Sequence, residues 1–118
     1  MMLPTYRKYN SRKALCRLDH KHDSAKEAMR CNQLQMNLQG KVISNLAVQV
    51  PFEVMSGFRW KGEAIRAIKY VADFVYTENG KMIIEDCKGM RTDVYKIKRK
   101  LLIAHLLSEG VEFDFIET

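Results

Sequence analysis

The apolar and polar positions along the chain divide it into a polar leader followed by alternating helical and extended segments. Residues 1–13 are polar and basic, with Tyr6, Arg7, Lys8, Tyr9, Arg12 and Lys13 in no helical or strand period, which predicts a basic N-terminal arm. Ser24 and Glu27 stand at capping-box spacing ahead of good helix formers, and Gly40 supplies a stop, so a first helix is predicted over residues 25–39. From Val42 the pattern alternates. Leu46, Val48 and Val50 should share one face, with Phe52 and Val54 following Pro51. Lys61 and Gly62 mark a turn before an extended run over residues 64–76, in which Ile68, Tyr70, Ala72, Phe74 and Tyr76 should share a face. Asn79-Gly80 between two β-rich runs is a strong hairpin signal leading into a strand over residues 81–88.

Beyond Gly89, Thr92 or Asp93 can cap a second helix that reaches about residue 109 and stops at Gly110. Val111, Phe113 and Phe115 then alternate with Glu112 and Asp114, predicting a last strand that a crossover helix lays parallel to residues 81–88. The expected order is αβββαβ: an α/β class domain over residues 14–118 with a central mixed sheet flanked by helices. No internal repeat or low-complexity segment interrupts it.

Composition narrows the setting. The 118 residues suit one domain, and no apolar run approaches the ~20 residues needed to cross a bilayer. No apolar segment follows Arg7 and Lys8, so a cleaved secretory leader is not expected, and a cytoplasmic location with no membrane partner is. Three cysteines without a CxxC pairing fit reduced thiols rather than a disulfide framework. Cys16, His20, His22 and Cys31 match no common zinc-finger spacing. The net charge of +6 favours a polyanionic partner such as DNA.

The chemistry lies in the hairpin. If Asn79 and Gly80 are the central residues of a type I′ turn, Asp73 stands directly opposite Asp86, where like charges destabilise unless something compensates them. Oxygen ligands at that spacing suit a hard divalent cation, Mg²⁺ with Mn²⁺ as a substitute. Lys88 falls on the same strand face as Asp86, placed to neutralise charge on a phosphate or to orient water. The alternative is a solvent-facing hairpin whose charges serve solubility. The crowding of Val71, Phe74, Val75, Ile83 and Ile84 around them argues against it, because buried charge needs a reason.

Val71-Ala72-Asp73-Phe74-Val75 followed by Ile84-Glu85-Asp86-Cys87-Lys88-Gly89 resembles the paired signature of the PD-(D/E)XK nuclease superfamily, whose restriction-endonuclease-like core also runs αβββαβ. Within it, the chain is similar to a group of small phage-borne members, from Lys8-Tyr9-Asn10 through Asp23-Ser24-Ala25-Lys26-Glu27-Ala28 to the end. The resemblance implies metal-dependent hydrolysis of DNA phosphodiester bonds, including branched recombination intermediates such as Holliday junctions, commonly by homodimers. It implies Asp73 and Asp86 as metal ligands, Lys88 as the charge-stabilising lysine and Glu27 as an acid from the first helix that serves as a further ligand. Ala72 stands where the superfamily name advertises proline. Gln49, ahead of Pro51 and Phe52, is reminiscent of the phage group as a site-lining residue.

Several residues carry two readings. Glu27 either joins the metal or caps the first helix. Glu85 could replace Asp86 at the metal if the turn were longer. Arg91, Lys96, Lys98, Arg99 and Lys100 either form the solvated face of the second helix or join Arg7, Lys8, Arg12 and Lys13 in contacting phosphates. His105 reads as a core or rim histidine. Tyr6, Tyr9, Phe58 and Trp60 are core aromatics or stacking groups for unpaired bases. The functions in contention are an Mg²⁺-dependent endodeoxyribonuclease, a non-catalytic DNA-binding module on the same fold serving phage replication or packaging, and a protein-interaction factor indifferent to magnesium.

Overall fold

The computed structural model describes residues 14–15, 21–22, 24–87 and 91–118. The elements are β1 (Ala14–Leu15), β2 (Lys21–His22), α1 (Ala25–Gln39), β3 (Ser44–Met55), β4 (Phe58–Trp60), β5 (Glu63–Ile65), β6 (Ile68–Glu78), β7 (Lys81–Asp86), α2 (Asp93–Ser108) and β8 (Phe113–Glu117). Four strands form the central sheet in the order β3-β6-β7-β8. The first three are antiparallel, and β8 lies parallel to β7 after the α2 crossover. With α1 ahead of β3, the principal elements follow αβββαβ, a mixed α/β arrangement. β1 and β2 form a separate two-stranded pair, as do β4 and β5.

Each helix begins where a hydroxyl can cap it. Ser24 Oγ accepts from the Glu27 backbone N–H at 3.1 Å, and Thr92 Oγ1 accepts from Tyr95 at the same distance, each satisfying a donor the first turn leaves unpaired. Asn79 and Gly80 adopt φ of 53° and 77°, the left-handed pair a type I′ turn requires. The register of β6 and β7 follows from that turn, running from Glu78↔Lys81 to Phe74↔Glu85.

The helices cover opposite faces of the sheet. Ala28, Cys31 and Leu34 of α1 pack with Phe74, Tyr76 and Ile83. Tyr95, Leu102 and Leu106 of α2 pack with Val75, Ile84, Val50 and Ala72. Adjacent Ile83 and Ile84 therefore serve different cores, as alternation in a strand demands. Burial on both sides makes β6 the centre of the molecule, with Ala72 to Tyr76 all inaccessible.

Besides the register shifts at Ser44/Ala47 and Glu53/Met55, alternation fails in mid-sheet, which corrects two expectations. Leu46 and Val48 face the α1 core, but Val50 faces the α2 core. In β6, Ile68, Tyr70 and Ala72 face the α2 core, whereas Phe74 and Tyr76 face the α1 core. The switch falls at Gln49, whose φ of 53° turns β3 over. Pairing holds across it, with Val48↔Phe74 on one side and Val50↔Ala72 on the other, so β6 turns over in step at Asp73. The run over residues 64–76 is likewise not one strand. It breaks at residues 66–67, and β5 turns back on β4 instead of joining the sheet.

Candidate active site

Asp73 and Asp86 are 1% and 0% exposed. The Asp73 backbone N–H donates to Asp86 Oδ1 at 2.9 Å, and the Cys87 N–H donates to Asp73 Oδ2 at 2.9 Å. Regular pairing of β6 with β7 ends at Phe74↔Glu85, and just beyond it each strand's carboxylate receives an N–H from the other strand. Two acidic side chains thus occupy the seam where the strands part. On its other side, β7 stays anchored to β8 through Thr118 N–H to the Asp86 carbonyl at 2.9 Å. The two bonds ending on carboxylate oxygens are charge-assisted when the acids are ionised, whereas the Thr118 bond is an ordinary backbone pair. A carboxylate offers about four lone-pair directions, and the Asp73 and Cys87 backbone N–H groups each take one.

Gln49 and Glu27 approach from the α1 side. Gln49 lies across β3 from Asp73, between the pairs Val48↔Phe74 and Val50↔Ala72. Its left-handed backbone is uncommon for a residue that is neither Gly nor Asn. Its Nε2 donates to Glu27 Oε2 at 2.7 Å, and its Oε1 is buried without a hydrogen-bond donor among the described residues. Glu27 is 3% exposed, so the carboxylate that sequence reading divided between cap and ligand is turned inward to Gln49, while Ser24 caps the helix. Among the described residues no three of His, Cys, Asp and Glu converge as a ready-made cation cage. Glu27 gives Oε2 to the Gln49 amide.

Glu85 occupies the opposite face of β7 in a network of its own. Arg30 of α1 grips it with two nitrogens, Nε on Oε2 and Nη2 on Oε1, the latter at 3.0 Å. Tyr76 Oη donates to Oε1 at 2.7 Å, and Thr118 Oγ1 donates to Oε2 at 3.1 Å. The hydrogen bond and charge of Glu85 raise the Arg30 pKa, while burial and then the Glu85 bond push the Tyr76 hydroxyl well above its ordinary range. With the two-residue turn fixing the register, Glu85 belongs to this network and not to the seam. The sequence assigned no site role to Arg30, Tyr76 or Thr118. Arg30 meets Glu85 across 55 positions, and no local spacing announces such a pair.

Cys87 registers the field of the acids. Burial is the largest influence raising its thiol pKa; the Thr118 hydrogen bond lowers it, and Asp73, Glu85 and Glu27 each add to the rise. Three carboxylates therefore reach one thiol at the end of β7. A groove lined by Lys26, Met29, Arg30, Gln33, Cys87 and Thr118 opens beside it.

The basic residues of α2 do not form one face. Lys96 and Lys100 are exposed, but the Arg99 guanidinium lies 4.7 Å from the Phe115 ring centre and Lys98 is half-buried. Arg91 reaches Glu117 at 3.4 Å. His105 sits at the helix rim, 3.3 Å from Glu109. Cys31 and Cys87 are in no disulfide among the described residues. Lys88, Arg7, Lys8, Arg12 and Lys13 lie outside the described residues, as do Tyr6, Tyr9, Cys16 and His20. Among the described residues no helix is long and apolar enough to cross a membrane.

No curated protein and no solved structure matches the chain. Residues 6–114 match the DUF1064 family, described as a protein of unknown function, and with that match spanning most of its length the chain belongs to this family.

Proposed function

We propose that the protein is a Mg²⁺-dependent DNA endonuclease with a restriction-endonuclease-like fold of the PD-(D/E)XK type. The observation that carries this reading is the buried pair Asp73 and Asp86 in the seam between β6 and β7, the positions at which the sequence resembles that superfamily. Buried acidic charges are costly unless a cation, a hydrogen-bond donor or a phosphate-binding role compensates them. An all-oxygen donor pair fits Mg²⁺, which ordinarily takes one or two carboxylates and completes its shell with water and substrate phosphate. Mn²⁺ substitutes on the same grounds.

In this proposal Asp73 and Asp86 hold the ion, which when bound would activate water and stabilise the leaving oxygen. Lys88, two positions beyond Asp86, neutralises charge developing on the scissile phosphate. Glu27 is fixed by Gln49 and adds negative potential at the α1 side of the site. The strain at Gln49 supports a functional site, since left-handed backbone at an ordinary residue persists where surrounding structure enforces it. Lys96 and Lys100 of α2, with Arg7, Lys8, Arg12 and Lys13 of the arm, hold the DNA backbone. Branched recombination intermediates are the proposed substrates and a homodimer the proposed assembly, in the cytoplasm of a bacterial host if the gene is phage-borne.

A second reading, a non-catalytic DNA-binding module, draws support from the same hydrogen bonds, because both carboxylates also clasp backbone N–H groups. Incubating the protein with linear, nicked, flapped and four-way DNA, in Mg²⁺, Mn²⁺ or a chelator, separates the two. The nuclease reading expects metal-dependent cleavage that disappears in Asp86→Asn. Intact protein that retards DNA in a gel but cuts none of these substrates would establish the second reading instead.

A further inference from the structure

The excursion between β3 and β6 is larger than the topology needs. Antiparallel neighbours can be joined by a two-residue turn, yet here the chain leaves the sheet after Met55, forms β4 and β5, and returns at Ile68. The two short strands pair as Phe58↔Ile65, Arg59↔Ala64 and Trp60↔Glu63. Lys61 and Gly62, at φ of 48° and 78°, close them in the geometry of a type I′ turn, and Arg59 Nη2 fastens the tip to the Gly62 carbonyl at 2.9 Å. Neither strand contributes to the two buried cores. The hairpin has a defined shape and lies outside both cores.

It displays two large aromatics on one face. Phe58 and Trp60, two residues apart on β4, are 51% and 57% exposed. Lys61 Nζ sits 4.8 Å from the indole centre, and Arg59, Arg66 and Lys69 are exposed in and beside the hairpin, with Glu63 and, opposite Lys69, Glu53 as the acids. Exposed rings on a rigid strand with cations around them match the chemistry of a nucleic-acid single strand: a π-face for each unstacked base and a cation for each phosphate. A duplex offers no such faces, since its bases are already stacked.

We infer that the β4–β5 hairpin is a stacking platform for unpaired bases, with Trp60 and Phe58 as the rings and Lys61 as the neighbouring phosphate contact. Roughly 20 Å of strand separates Gln49 from Met55 at the hairpin base, less than one turn of duplex at about 34 Å. One DNA strand can therefore lie on both the platform and the seam. The inference deepens the nuclease proposal and rests on it for the choice of DNA: the substrate would carry a single-stranded segment beside the cleaved bond.

Trp60 is the sole tryptophan, so indole emission reports this position alone. The full chain is titrated with a short oligothymidylate in chelator, following both tryptophan emission and the anisotropy of a labelled oligonucleotide. The platform expects emission to be quenched on binding and a blunt duplex to compete poorly. Trp60→Ala should weaken binding roughly tenfold while Trp60→Phe keeps most of it. Far-UV circular dichroism verifies that the variants are folded. Binding without quenching, unchanged affinity in Trp60→Ala, or no binding overturns the inference. So does emission that varies with protein concentration without DNA, which would assign the patch to a second copy of the chain. Asp86→Asn keeps the quenching but loses cleavage if both readings hold. Quenching in a protein that never cuts DNA removes the nuclease proposal alone, and cleavage without quenching removes the platform alone.

Discussion

Asp86 is where stability and function are expected to pull apart. Its side chain is fully buried and accepts the Asp73 backbone N–H. Asparagine keeps an oxygen for that N–H and removes one of the two like charges, so Asp86→Asn should unfold within about 1 kcal/mol of the parent, or later. Thermal unfolding followed with and without millimolar Mg²⁺ tests the ion directly. A ligand that binds only the folded state stabilises it, so the parent midpoint should rise by several degrees with Mg²⁺ while that of Asp86→Asn stays still. An identical response in both proteins would remove Asp86 from the metal. Position 49 belongs to the same scale. The sequence shows a glutamine ahead of Pro51, but nothing in its side chain announces a left-handed backbone, which is set by the strands around it.

At the level of elements, Arg30 and Glu85 join α1 to β7 through a bidentate contact that Tyr76 and Thr118 complete. Arg30→Met would leave a buried carboxylate with only two hydroxyl donors in this network, a loss of about 2–3 kcal/mol given that Arg30 is partly exposed. The expected result is a lower urea midpoint at unchanged slope, with much of the loss recovered when Glu85→Leu is added. A midpoint that does not move would mean that the pair contributes nothing to docking α1. The elements themselves were largely readable from local chemistry. The cap at Ser24, the stop at Gly40 and the Asn79-Gly80 turn act within a few residues, and the turn alone aligned Asp73 with Asp86. The β4–β5 departure was not readable, because residues 64–76 alternate as a strand should, and only tertiary pairing decides where a strand leaves its sheet. The Arg30–Glu85 contact was hidden for the same reason.

Over the whole molecule the charge is +6, and α2 does not gather its share of it on one face. Arg91 and Arg99 are drawn to Glu117 and Phe115, leaving Lys96 and Lys100 to face solvent on that helix. Four phosphate contacts, for instance these two lysines and two residues of the arm, would weaken DNA binding roughly a hundredfold between 50 and 200 mM salt. Gel retardation across that range measures the slope, and Lys96→Ala with Lys100→Ala should flatten it; an unaltered slope would move the contact surface elsewhere. The switch of β3 and β6 at Gln49 and Asp73 has a bearing on how this sequence can be rewritten. Residues on either side of it obey opposite inside-and-outside rules, so the sheet is two stretches of differing phase spliced at the acidic seam. Losing or gaining one residue in β3 would put that splice out of step with its neighbour, and a design scheme assuming unbroken alternation would send hydrophilic side chains into whichever core it had misjudged.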